Sequence, residues 1–133
     1  MKRLLLITLM VLSSGPAYAE WVAIEKNNQL SELQTVYVDP TTIRQDENMV
    51  TMWQLTDFKW TQGGLIGRRF LSTTTRKQFD CAAKRVRLLA YTEFSRRMEI
   101  GIAYDGYVDN DYWFLVEPES MNQVLWEVAC NTQ

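Results

Sequence analysis

The chain has 133 residues, 47% of them hydrophobic, with 14 basic against 16 acidic side chains. A chain of this size supports one domain with a modest core, and its charge balance argues against a nucleic-acid partner. It contains no histidine and only two cysteines, which removes His-based triads, Cys–His pairs and His-rich metal sites together.

Lys2 and Arg3 precede an apolar run from Leu4 to Leu12 that is interrupted only by Thr8. Ser13, Ser14, Gly15 and Pro16 break any helix, and Ala17-Tyr18-Ala19 places small residues at −3 and −1 of a cleavage point. This pattern predicts a signal peptide over residues 1–19 and an exported single domain over 20–133. The rival is an uncleaved membrane anchor, but the apolar run is far shorter than the ~20 residues a spanning helix needs. No cysteine adjoins the cut, so no lipid anchor is expected there and no membrane span should remain after cleavage. The mature chain is expected in the periplasm or secreted.

Export changes what the cysteines mean. In an oxidising compartment Cys81 and Cys130 most simply pair with each other, and their wide spacing does not suit a redox-active C-x-x-C pair. By the chain-entropy estimate, closing such a loop contributes about 4 kcal/mol through the unfolded state. With both bridged, no thiolate nucleophile or thiolate metal site remains.

Along the chain, Trp21 to Lys26 reads as a first short strand ended by Asn27 and Asn28, and Thr35 to Val38 as a second, broken at Asp39-Pro40. Met49 to Trp60 is long and rich in β-branched and aromatic residues. Gly63, Gly64 and Gly67 then form a loop. Arg69 to Phe79 is threonine-rich and alternates, which predicts a strand with one wet face. Ala82 to Phe94 follows closely and reads as a strand, with a helix as its rival. Three long strands with short connections imply an antiparallel meander. From Ser120 the period changes. Ser120 and Gln123 form a capping box, the nearby acidic residues suit the helix dipole, and Met121, Val124, Leu125 and Val128 make one apolar stripe. An amphipathic helix packed on one sheet face is expected. At about 100° per residue Cys130 lies half a turn from Met121. The helix therefore either ends before Cys130, the favoured reading, or buries a stripe wide enough to include Trp126.

Charge is unevenly spread. Without Lys2 and Arg3, 12 basic and 16 acidic side chains remain, a net of −4. From Arg68 to Arg97 there are nine basic residues and two acidic ones, whereas Met98 to Gln133 holds seven acidic residues and no basic one. Arg69, Arg76, Lys77, Lys84, Arg85 and Arg87 on adjacent strands would attract a polyanion or an acidic protein surface. Alternatively, the acidic C-terminal third folds back over them, and their long stems cover apolar sheet. Trp53 and Trp113 are expected in the core, and Tyr104 and Tyr107 in an exposed contact loop. Asp105, Asp109 and Asp111 lack the glycine and glutamate of an EF-hand loop, so a solvated turn is expected and no metal. The glycines at 63, 64 and 67 are followed by no Gly-Lys-Ser/Thr, so no phosphate loop is read there.

The order of these features is similar to the surface-adhesin protein E family of small exported Gram-negative proteins. The carrying residues are Trp21, Val38-Asp39-Pro40-Thr41-Thr42-Ile43, Val50-Thr51-Met52-Trp53-Gln54-Leu55 and Phe79-Asp80-Cys81. Trp113 to Val116, Pro118-Glu119-Ser120 and Cys130 complete the set. The resemblance implies a roughly six-stranded antiparallel sheet with a C-terminal helix tethered by the disulfide. It also implies adhesion to host matrix or plasma proteins. The adhesin that names the family looks like a surface lipoprotein, whereas this chain has no lipobox cysteine.

The leading expectation is thus a non-enzymatic, adhesin-like binding protein for a protein or polyanion, with no cofactor. A periplasmic structural or assembly protein is the alternative, and a carboxylate-dependent enzyme a distant third. An open sheet has two unpaired edges, so a homodimer is also open.

Overall fold

A computed structural model describes residues 19–24, 33–63 and 67–131. The expected signal peptide as far as Tyr18, the expected Glu25–Asn28 strand end and turn, and Gly64 lie outside the described residues.

Within them, eight strands form one antiparallel sheet: β1 (Val22–Ala23), β2 (Gln34–Val38), β3 (Arg44–Asp46), β4 (Met49–Gln62), β5 (Phe70–Asp80), β6 (Arg85–Phe94), β7 (Ala103–Asp105) and β8 (Phe114–Leu115). The main path runs β1-β2-β4-β5-β6-β7, with β3 added to β4 and β8 to β6. The expectation of about six strands misses β3 and β8, which span only three and two residues. The meander β4-β5-β6 forms as expected, so the helical reading of Ala82–Phe94 fails.

Local chemistry makes the β5–β6 turn. Asp80 Oδ1 accepts from the backbone N–H of Ala82 at 3.1 Å and of Ala83 at 3.0 Å, while its other oxygen accepts from Arg85 Nε at 3.0 Å. Lys84 takes the left-handed conformation that closes the turn, at φ 54°. Lys84 therefore ends a turn rather than continuing a strand. The bonds from Ala83 above all, then those from Arg85 and Ala82, hold the Asp80 carboxyl below its ordinary pKa despite burial.

Alternation assigns the two faces. Val36 and Val38 on β2, Val50 and Met52 on β4, Phe79 on β5 and Val86 on β6 form one buried layer. Helix α1 (Met121–Asn131) lies on this layer, with Leu125 and Ala129 fully buried. Ser120 caps it: its hydroxyl accepts from Gln123 N at 3.1 Å. The reciprocal half of the capping box is missing, since Gln123 Oε1 has no partner.

The favoured end of the helix is corrected. Cys130 is inside α1 and bonded to Cys81, with the Cα atoms 5.7 Å apart. Met121, Val128, Trp126 and Cys130 all pack on the core with Leu125 and Ala129, an arc of roughly 200° at 100° per residue. The wide-stripe alternative is the one realised. Trp126 Nε1 donates to the Asp80 carbonyl at 3.0 Å, so the indole and the disulfide grip the same β5–β6 turn.

The threonine strand is also corrected. Ser72, Thr73, Thr74 and Thr75 are all buried. The loop after β6 reaches over Ser72, whose hydroxyl donates to Arg96 O at 2.6 Å and accepts from Glu99 N at 3.1 Å.

Candidate functional site

The outer edge of β6 carries two short strands. β7 pairs with Thr92–Phe94 at one end, and β8 pairs with Arg85–Val86 at the other. Residues 106–113 bridge them. Gly106 starts the bridge because its backbone passes close over the Tyr91 ring: a Cβ there would lie 2.5 Å from Tyr91 Cδ2. Gly106 N donates to Tyr91 O at 2.8 Å, and Arg87 Nη1 donates to Asn110 O at 2.9 Å. Asp109 turns the chain by accepting from Asp111 N at 3.1 Å.

This flank displays Ile100, Ile102, Tyr104, Tyr107, Tyr112, Phe114 and Leu115, all exposed, with Tyr107 at 94% and Leu115 at 73%. Tyr112 and Phe114 pack together at 4.6 Å between ring centroids. Tyr104 and Tyr107 are thus exposed along the same edge of β6 as Tyr112, which the sequence already groups with them, and as Phe114 and Leu115, which were not picked out as candidates. Their closeness in sequence to Trp113 was the available signal.

The basic residues do not form one stripe. Arg85 and Arg87 lie over the Trp113 ring at 4.2 and 4.6 Å, and Arg68 lies over Tyr104 at 3.9 Å. Lys84 Nζ is 5.4 Å from the Trp126 ring centroid. Arg69 is exposed just before β5. Arg76 and Lys77 are neighbours on a strand and so point to opposite faces. Arg76 is exposed on the face away from α1, whereas Lys77 lies on the helix side and donates to Asn122 Oδ1 at 2.8 Å. Burial lowers the Lys77 pKa to about 8.

Trp113 is consequently a half-exposed platform rather than a core residue. Trp53 also leaves the expected core. It faces away from α1 and helps line a cavity of about 720 Å3 with Trp21, Asp39, Arg44, Thr74, Arg76 and Glu99. Asp39 reads from sequence only as part of the turn with Pro40, and Glu99 was not singled out, since isolated acidic residues carry no site pattern. A second cavity of about 660 Å3 lies between Lys77, Leu88, Trp113, Phe114 and Asn122. Among the described residues no cluster of three or more His, Cys, Asp or Glu side chains is arranged to hold a metal ion.

The sequence profile described as surface-adhesin protein E matches residues 21–131. The chain belongs to the surface-adhesin protein E family. None of the curated protein sequences matches it. Crystal form II of Haemophilus influenzae protein E has a similar fold, with a TM-score of 0.67 at 12% identity, covering 88% of this chain and 91% of that one. A second Haemophilus influenzae protein E structure gives 0.64 at 12% identity, covering 88% of each chain. The structure from non-typeable Haemophilus influenzae gives 0.61 at 12% identity over 88% of this chain and 79% of that one. The sheet, the C-terminal helix and the Cys81–Cys130 tether are thus those of a protein E-like fold, as the resemblance implied. Among the described residues of this family member, no helix is long and apolar enough to cross a membrane.

Proposed function

We propose that this chain is exported by a signal peptide cut after Ala19 and works without catalysis as an adhesin-like binding protein. Its ligand is a protein, held on the flank of β6 through Tyr104, Tyr107, Tyr112, Phe114 and Leu115. The observation that carries this reading is the concentration of exposed aromatic and aliphatic side chains on one short stretch of chain. Solvent gives no reason to keep such a group together, whereas interface centres are enriched in aromatics. Family membership supports the adhesin class. A polyanion is the weaker ligand, because Arg85 and Arg87 are drawn onto Trp113 and Lys77 is directed into the protein.

Envelope assembly is the second reading. β7 ends the main path of the sheet, and an added strand from an envelope partner or a second copy would suit it. A pull-down with the mature protein against host-matrix, plasma and envelope fractions tests both readings. Tyr107→Asp with Leu115→Asp should abolish capture while leaving the fold intact. Equal capture by that variant removes the flank from the function. Retention in osmotic-shock fluid, with no protease-accessible epitope on whole cells, would decide for the envelope role.

A further inference from the structure

Asp39 is buried, with 3% of its surface exposed. Its Oδ1 accepts from Thr41 N at 3.0 Å and from the Thr41 hydroxyl, and its Oδ2 accepts from Glu20 N at 3.1 Å. All of these donors are neutral while the chain is continuous through residue 20. A carboxylate taken out of water is costly unless a cation accompanies it. Among the described residues none does so: the ion pair found is Arg85–Asp80, and Arg44 Nη1 is committed to the carbonyls of Thr41 and Ile43.

The donor on Oδ2 is the nitrogen that the Ala17-Tyr18-Ala19 motif would release. Hydrolysis adds one water across the Ala19–Glu20 bond. The carboxylate departs on Ala19, and the Glu20 amine takes up a proton at neutral pH. We propose that Asp39 is the docking site for the mature N terminus, and that processing converts a neutral hydrogen bond into a buried ion pair between the Glu20 α-ammonium and Asp39. The proposal rests on export with cleavage after Ala19, and the cleaving agent is a signal peptidase using water.

The surroundings fit a cation. Glu99 faces the same cavity, and its carboxyl is raised above its ordinary pKa by burial first and by the Asp39 charge as well, against a hydrogen bond from the Trp21 side chain. An ammonium at Glu20 N would relieve both carboxylates. Of the other charged groups there, Arg44 is held as above and Arg76 lies exposed on β5; the Glu20 side chain is itself exposed. The pair also fixes a wall of the cavity. Beyond Glu20, Trp21 lines that space, Val22–Ala23 pairs with β2, and Ile24 N donates to Val36 O at 2.8 Å. A free amine with a raised pKa stabilises the fold below its unfolded value of about 8, and that stabilisation is lost as pH rises through the folded value.

The test uses protein exported to the periplasm. Mass spectrometry should find Glu20 as the first residue. Titration of its α-amine, followed by NMR or by the rate of amine labelling, should give a pKa at least one unit above the ordinary value of about 8. Asp39→Asn should return it to that value. Acetylating the amine should lower Tm by several degrees in the natural chain and far less in Asp39→Asn. Should Asp39→Asn fail to fold, a chain that retains Ala19 gives the comparison with Asp39 intact. An α-amine that titrates at its ordinary value overturns the proposal. A different first residue on the exported protein overturns the cleavage reading instead. The same titration on a chain released at Glu20 from a fusion then judges the ion pair on its own.

Discussion

Reducing the Cys81–Cys130 bridge, or replacing both residues by serine, should cost about 4 kcal/mol of stability. The bridge spans 49 residues. The chain-entropy relation gives roughly 3 kcal/mol for a 15-residue loop and 4.7 for 100 residues, and this loop falls between them. For a domain of this size 1 kcal/mol moves Tm by roughly 4 °C, so the loss should be near 15 °C. The effect acts mainly on the unfolded chain. The folded reduced protein should therefore keep α1 docked, since Ser120 still caps it, Leu125 and Ala129 stay buried, and Trp126 still reaches Asp80 O. Urea unfolding of the oxidised, reduced and Cys81→Ser/Cys130→Ser proteins measures the loss, and amide exchange along α1 reports its docking. Unfolding midpoints within 0.5 M urea of one another would refute the entropy argument. Full exchange of α1 in the reduced but folded protein would show instead that the bridge holds the helix in place.

Leu125→Ala removes a fully buried side chain between α1 and the sheet and should cost 2–5 kcal/mol in the same urea experiment. Lys77 has a pKa lowered to about 8 by burial, so between pH 8 and 10 the unfolded chain binds more protons than the native one. Stability should rise with pH over that window, and Lys77→Met should remove the rise while stabilising the protein at pH 7. The Asp80 carboxyl is held below its ordinary pKa, first by the Ala83 N–H. Its stabilising effect is present above the unfolded pKa and is lost as pH falls through the folded one, so Asp80→Asn should flatten the acid limb of stability against pH. Heparin should elute the protein at low salt, because Arg85 and Arg87 are stacked on Trp113; strong retention that falls steeply with salt would revive a polyanion ligand.

The meander, the helix start and the cysteine pair were legible because each rests on local chemistry. Strand composition marks Met49–Trp60, a hydroxyl three residues before Gln123 marks a cap, and two cysteines have one partner each. The site was less legible. Tyr104 and Tyr107 stand out as candidates, and Tyr112 as clustered with them, yet Phe114 and Leu115 were not candidates for contact. Whether an aromatic run is core or surface depends on which strand edge it joins. Trp53 and Trp113 were misplaced for related reasons: Trp53 in β4 packs on the face without the helix, and Trp113, in the bridge just before β8, takes Arg85 and Arg87 over its ring.

Sequence alone determined the strand-rich class of the chain, its terminal helix and the pairing of Cys81 with Cys130, because composition, period and compartment act locally or on only two candidates. Tertiary structure decided the faces. β5 and β6 pair Arg76 with Ala90 but Lys77 with Leu88, and this shift leaves Leu89 without an opposite residue. Beyond such a bulge, side chains that a simple alternation would place on one face lie on the other. That one-residue shift puts Tyr91, paired with Thr75, on the same face as Leu88, paired with Lys77, although strict alternation along β6 would separate them. The basic residues are dispersed by other means: alternation sends Arg76 and Lys77 to opposite faces, and Lys84 lies in the turn. No local pattern marks Leu89, because the shift is a property of two strands paired together.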